Sequence, residues 1–227
     1  LDGLAFQNPD DCETLRAAGV LPATLRTEIV PGTGVDCERF APEPLPPRPA
    51  FLMASRLLET KGVREYFKAA RRLHEIHPDI PCRLAGWIDP GVAAMTQGDF
   101  DRLLAEGHVE MLGRLDDVRP AIAAASVCVL PSHREGLPLF LLESMAMGRA
   151  IIGTDAPGCR EIVDPGATGL LVPPRDAKAL AEAMVELAGD PDRIAAMGEA
   201  GRRRAVERFE SREVCRRFLG FMGLDAP

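Results

Sequence analysis

Residues 127–154, VCVLPSHREGLPLFLLESMAMGRAIIGT, leave this chain little choice of fold. The stretch opens on the apolar run Val127, Cys128, Val129 and Leu130, which Pro131 and Ser132 stop. An apolar run this short, rich in valine and bounded by turn residues, reads as a buried strand. A polar loop follows with His133, Arg134, Glu135 and Gly136. Residues 137–147 are expected to form an apolar helix closed by Gly148 as its C′ residue. A second apolar strand at 150–153 completes a strand–loop–helix–strand unit.

Such a unit sets the loop and the helix N-terminus at the carboxyl edge of a parallel sheet, where ligands of open α/β folds bind. Unpaired N–H groups at that terminus favour an anion. Glu135 lies in the loop and Glu143 eight residues later, in the helix. Both carboxylates can therefore face one crevice. A carboxylate accepts two hydrogen bonds from a vicinal diol, which suits Glu143 to a ribose. Two glutamates at this spacing are otherwise ordinary on a solvated helix, so the setting carries the signal.

The remainder alternates in the same manner. Strands are expected at 27–30, 50–54, 82–85, 109–112 and 169–172. Helices are expected at 13–18, 63–77, 100–106, 175–187, 190–209 and 211–222, with one more starting near Asp116 and Asp117. This order specifies an α/β fold with a doubly wound parallel sheet, Rossmann-like in form. Five prolines between positions 42 and 49 make a stiff extended connection. The loop after 50–54 carries Arg56 and Lys61. A forked guanidinium and a point-charge ammonium match the two negative groups of a nucleoside diphosphate, although basic loop residues are commonly plain surface.

Other features have ordinary readings. Gly86 to Gly91 lacks the G-x-G-x-x-G pattern, which argues against a dehydrogenase. Trp87 is expected to cap the sheet, with a place beside a base as the alternative. Asp116 and Asp117 read as a helix start rather than a metal motif. Arg202-Arg203-Arg204 and Arg216-Arg217 invite a membrane reading, but the interspersed Glu199, Glu207, Glu210 and Glu213 favour a solvated, salt-bridged face. His133 is expected to point to solvent or hydrogen-bond locally rather than act as a base.

Glu135-x7-Glu143 within PSHREGLPLFLLESMAMGRAIIGTDAPGCREIV, with SRLLETKG upstream, resembles the signature of glycosyltransferase family 4, retaining enzymes of the GT-B fold. The likeness runs from about residue 8 to residue 209. It implies transfer of a hexosyl unit from a nucleotide sugar, a UDP-sugar first, without metal or other cofactor. Arg56 and Lys61 would hold the donor diphosphate, and Glu135 would position the sugar rather than attack it. Gly113, Arg114 and Leu115 would lie against the base, Glu143 would hold the ribose, and the amides of Gly136 and Leu137 would meet the phosphates. Of the glycine pair common in the family only Gly158 carries over, beside Pro157, which puts the loop's approach to the sugar in doubt.

The same likeness makes residues 1–210 the donor-binding domain, the C-terminal lobe of a GT-B enzyme. Residues 211–227 would be a helix packing back toward an acceptor lobe that would precede Leu1. The chain reads as a fragment or processed piece, inactive alone. FQNPDD, GTGVD and REGLP are similar to bacterial members that build cell-surface polysaccharide or lipopolysaccharide. Their acceptors are saccharides or sugars on a polyprenyl diphosphate. Rival readings are a GT-B nucleotide-sugar 2-epimerase or phosphorylase, and a non-catalytic nucleotide-sugar-binding module.

Composition narrows the setting. A net charge of −7 argues against nucleic acid as a partner. No apolar run approaches the ~20 residues of a membrane span, which leaves room only for peripheral membrane contact. Six cysteines without a C-x-x-C pair suggest neither a zinc site nor a redox pair, and Cys82 and Cys128, in expected strands, read as buried thiols consistent with a reducing cytoplasm.

Overall fold

The computed structural model describes residues 2–89 and 95–224. Pro90 and Gly91 of the segment after the third expected strand, and the last three residues of 211–227, lie outside the described residues. Two short strands come first, β1 (Gly3–Phe6) and β2 (Arg26–Ile29), joined through α1 (Pro9–Ala17) and paired in parallel as a sheet of their own. β1 had no counterpart in the sequence reading, because a four-residue GLAF segment is too short to establish a period.

The main sheet contains β3 (Phe51–Ala54), β4 (Cys82–Ala85), β5 (Glu110–Gly113), β6 (Val127–Leu130), β7 (Ala150–Thr154) and β8 (Gly169–Val172). All pairings are parallel, in the order β5-β4-β3-β6-β7-β8. The intervening helices are α2 (Val63–His74), α3 (Gln97–Ala105), α4 (Arg119–Ala123), α5 (Leu139–Ala146) and α6 (Cys159–Ile162). After β8 come α7 (Ala177–Ala188), α8 (Pro191–Phe209) and α9 (Ser211–Phe221). The chain moves outward from β3 to β5, then returns to lay β6 beside β3. Right-handed crossovers running in opposite directions put the helices after β3 and after β6 on opposite faces. The order therefore reverses between β3 and β6, and a crevice opens above their carboxyl ends.

β6 and β7 are buried along their whole length, as strands covered on both faces should be. α5 is apolar on nearly every side and packs under α8. The contact is close enough that a Cβ at Gly198 would stand 2.2 Å from the Gly148 carbonyl oxygen. Gly198→Ala is expected to lose roughly 1–3 kcal/mol of stability through forced separation of the two helices; urea unfolding measures it, and an unchanged midpoint would refute the tight crossing.

The basic stretch of α8 departs from expectation. Arg202 Nη1 donates to the carbonyls of Cys37, Phe40 and Ala146 at 3.0, 3.1 and 2.8 Å. Arg204 donates to Ile162 and Glu161 carbonyls at 3.0 and 3.2 Å. Of the three arginines only Arg203 is an exposed residue of the expected solvated face. The carbonyls of Ala146, Glu161 and Ile162 lie at helix ends, where partners within the helix are lacking, and those of Cys37 and Phe40 lie in a turn; the guanidinium side chains serve both.

The N-terminal unit and α9 lie together. Arg217 donates to Ile29 O at 3.0 Å, and the Arg26 guanidinium sits 4.5 Å from the centroid of the Phe221 ring. Residues 1–210, read as one domain from sequence, thus contain a small sheet separate from the main one. Both connections between the units cross at one point, where Val35 N donates to Phe209 O at 2.7 Å and Ser211 N to Val35 O at 3.0 Å.

Candidate active site

Above β3 the chain makes a 3₁₀ turn, Glu59–Lys61, and above β6 it forms the loop of residues 131–138. The loops are stitched together by His133 N and Ser132 Oγ, which both donate to Thr60 O, at 2.8 and 3.1 Å. This brings Lys61 against Glu135 at the reversal of strand order. Lys61 Nζ donates to both carboxylate oxygens, at 2.5 and 2.7 Å. The side chains are only 20% and 12% exposed, so solvent screens this pair far less than a surface one.

Glu135 is also held from behind. Its N–H donates to Pro157 O at 3.1 Å, and Gly158 packs on its backbone with φ +88°. A Cβ at Gly158 would lie 2.6 Å from Glu135 O. The close approach is thus made to the carboxylate's own backbone. Gly158→Ala is expected to displace Glu135, costing about 1–3 kcal/mol through overpacking and φ strain; retention of wild-type unfolding and of the Lys61 contact in a variant structure would disprove it.

Arg56 occupies the same β3 loop but turns to Asp89 above β4, at 3.1 Å. Gly113 ends β5, and Arg114 follows it. The Arg114 guanidinium lies 4.8 Å from the centroid of the Trp87 ring. Trp87 is 38% exposed, so it forms an open platform with Arg114 rather than a cap on the sheet. Among the described residues, then, direct contact joins Lys61 to Glu135, while Arg56 and Glu143 have other neighbours.

Glu143 lies in α5, and burial pushes its carboxyl up to about 7, with Arg39 pulling it down and Asp117 pushing it up. Asp117 itself is drawn down to about 2 by the Arg119 side chain and backbone N–H. Asp117 Oδ1 accepts the Arg119 N–H at 3.0 Å, which places Asp117 just ahead of α4, whose N-cap position is Val118. The raised value makes a sign-definite prediction. Stability from a protonated Glu143 is complete below the ordinary carboxyl value near 4.5 and disappears as pH rises through about 7. Glu143→Gln should flatten that slope and, at pH 8, exceed wild type in stability by about 1–3 kcal/mol; parallel pH–stability curves would rule this out.

The expected helix start at Leu137 is two residues early, because Leu137 precedes Pro138 and is pushed out of the α region. The N–H groups of Gly136 and Leu137 have no hydrogen-bond partner among the described residues. Leu115 continues the turn after β5, and Leu137 is buried.

Several residues beside the crevice had no role in the sequence reading. Asn8 is fully buried, caps α1 by accepting the Asp11 N–H at 2.8 Å, and donates to Gly136 O at 3.0 Å. Gln7 Oε1 covers Gly136, 2.0 Å from where a Cβ would stand. The small N-terminal unit therefore roofs the Glu135 loop. The capping chemistry of Asn8 was legible; its long-range contact was not. His133 neither points to solvent nor bonds within its own loop: its ring meets Glu65 at 3.3 Å and Arg175 at 3.3 Å, both distant in sequence. A cleft of about 510 Å³ runs past Thr60, His133, Glu135, Gly136 and Arg175. An apolar groove of about 620 Å³ between β1–β2 and α9 lies apart from it.

Comparison with known proteins places this geometry. Residues 37–204 match the family described as "Glycosyl transferases group 1". A putative glycosyltransferase, EpsD of Bacillus subtilis, is 30% identical over 213 residues, covering 88% of this chain and 55% of its own length. The N,N'-diacetylbacillosaminyl-diphospho-undecaprenol alpha-1,3-N-acetylgalactosaminyltransferase of Campylobacter jejuni is 33% identical, covering 60% of this chain and 34% of its own. The chain spans about half the length of the curated relatives it matches. Among solved structures, Anabaena Alr3699/HepE in complex with UDP superposes with a TM-score of 0.85 at 20% identity, over 98% of this chain and 64% of the other. Its likeness establishes the fold.

Proposed function

This chain belongs to the group 1 glycosyl transferases, with the doubly wound sheet of a GT-B lobe, and on that premise we propose that it is the donor-binding part of a retaining hexosyltransferase using a nucleotide-diphosphate sugar. The observation that carries the reading is the Lys61–Glu135 pair at the strand-order reversal. An ammonium has three N–H donors. Two meet Glu135, which leaves one for a phosphate oxygen without breaking the pair.

In this reading Arg56 exchanges its exposed contact with Asp89 for the diphosphate. Negative charge develops there as the bond from the anomeric carbon to the phosphate oxygen breaks. Arg56, Lys61 and the unpaired amides of Gly136 and Leu137 stabilise that charge. The acceptor hydroxyl oxygen bonds to the anomeric carbon on the face the phosphate leaves, and its proton passes to the departing phosphate. Glu135 holds Lys61 and orients sugar hydroxyls. Glu143 takes the ribose diol, and Trp87 with Arg114, beside Gly113 and Leu115, forms the platform for the base. Gly158 serves by supporting the Glu135 backbone.

The UDP-bound state of the Anabaena neighbour supports a UDP-sugar as the first donor to try. The undecaprenol-linked substrate named for the Campylobacter relative supports a polyprenyl-diphosphate-linked or saccharide acceptor and a role in surface polysaccharide synthesis. Among the described residues no helix is long and apolar enough to cross a membrane. Titration calorimetry with UDP and GDP on wild type and Glu143→Ala tests the donor site. At pH 8, above the raised Glu143 value of about 7, loss of at least tenfold affinity is expected from the ~1.5–3 kcal/mol of a charged hydrogen bond. Equal binding by both proteins would count against the assignment.

A further inference from the structure

The loop after β8 carries a cation that the donor reading does not use. Arg175 has φ +63°, the sole positive value at a non-glycine residue among the described residues. A side chain rarely occupies that region, because Cβ crowds the following carbonyl. Its backbone cost is offset by nothing visible in packing, since Arg175 is exposed. The conformation does place the guanidinium in the cleft of about 510 Å³ that Glu135 and Gly136 line.

The charges of that cleft are otherwise matched. Arg134 pairs with Asp11 and Glu135 with Lys61, while the His133 ring hydrogen-bonds Glu65 through Nε2. Arg175 has no carboxylate partner among the described residues. Its Nε–H donates to His133 Nδ1 at 3.3 Å, which requires that nitrogen to be unprotonated while Nε2 faces Glu65. The ring thereby anchors the Nε end of the guanidinium. Both Nη groups remain as a fork suited to two oxygens of one anion. Lys61 and Arg56 do not line this cleft, whereas Gly136 does, so an anion at Arg175 would lie beside the diphosphate assigned to Lys61, Arg56 and the Gly136 amide.

We propose that Arg175, oriented by His133, binds a carboxylate or phosphate oxyanion carried by the transferred sugar or by the acceptor. The proposal deepens the donor reading above and rests on it for the placement of the sugar at Glu135. The test is calorimetry on the full chain and on Arg175→Gly, which suits the left-handed backbone and should keep or raise the thermal midpoint. UDP and UDP-glucose are expected to bind both proteins alike. Arg175→Gly should lose tenfold or more in affinity for UDP-glucuronate if the transferred sugar bears the anion. It should lose as much for glucose 6-phosphate, with and without UDP, if the acceptor does. Arg175→Lys, which retains charge without the fork, should recover part of the loss. Equal affinities of wild type and Arg175→Gly for both anionic probes would overturn the proposal, as would an equal loss for UDP itself. If wild type fails to bind UDP, the donor reading falls, while the glucose 6-phosphate comparison without UDP still decides Arg175.

Discussion

Lys61→Ala is expected to weaken UDP binding by roughly tenfold to a hundredfold, the range of a charged hydrogen bond of ~1.5–3 kcal/mol. It should also destabilise the free protein. Glu135, only 12% exposed at its side chain, would lose both hydrogen bonds that its carboxylate accepts from Lys61. An uncompensated half-buried charge is worse than none, so Glu135→Gln in the same chain should restore part of the stability without restoring the affinity. A double-mutant cycle separates the two effects. Coupling of about 1–3 kcal/mol in stability is the expected result for a close pair this shielded from solvent. A coupling under about 0.5 kcal/mol would mean the pair behaves as an exposed one, and the crevice would lose its anchor.

Arg149→Ala should carry the largest stability cost, about 2–4 kcal/mol from lost carbonyl hydrogen bonds and the cavity left behind. Arg149 is 0% exposed and forms no ion pair among the described residues, with Glu43 the carboxylate whose charge favours it. Its Nε donates to Ile122 O at 3.1 Å and its Nη2 to Pro44 O at 3.2 Å. Burial pulls its pKa downward. The side chain pins the proline connection to the end of α4, where proline's missing N–H groups leave carbonyls without a ladder. Nη1 has no hydrogen-bond partner among the described residues, so the charge is incompletely compensated. Arg149→Met keeps most of the volume and removes the desolvated charge, and should cost at least about 1 kcal/mol less than alanine. Urea unfolding of the two variants decides the matter; an alanine variant within about 1 kcal/mol of wild type would show that the connection closes without the arginine.

Much of the architecture could be read from residue order alone. β4, β6 and β8 begin and end where expected, since short apolar runs between turn residues admit one reading. Asp176 and Asp190 cap α7 and α8 with the side-chain hydrogen bonds their type predicts. Cys82 and Cys128 are buried thiols, and burial pushes both up to about 12. What failed were statements about partners distant in sequence. Arg202 and Arg204 looked like surface charge because nothing local reveals a carbonyl on another helix. Trp87 looked like a cap because Arg114 meets it only through the pairing of β4 with β5.

The same division holds at the crevice. Local patterns established a parallel α/β chain and put Arg56, Lys61, Glu135 and Glu143 near carboxyl strand ends, because periodicity and turn chemistry act over a few residues. Strand order decided the rest. β6 had to insert beside β3 for Lys61 to reach Glu135 across 74 positions of chain, for Asn8 to meet Gly136, and for Arg175 to stand over His133. Side-chain charge is written in the chain, but which charge faces which is a property of packing, where Coulomb energy depends on distance through space and on the water excluded between the partners.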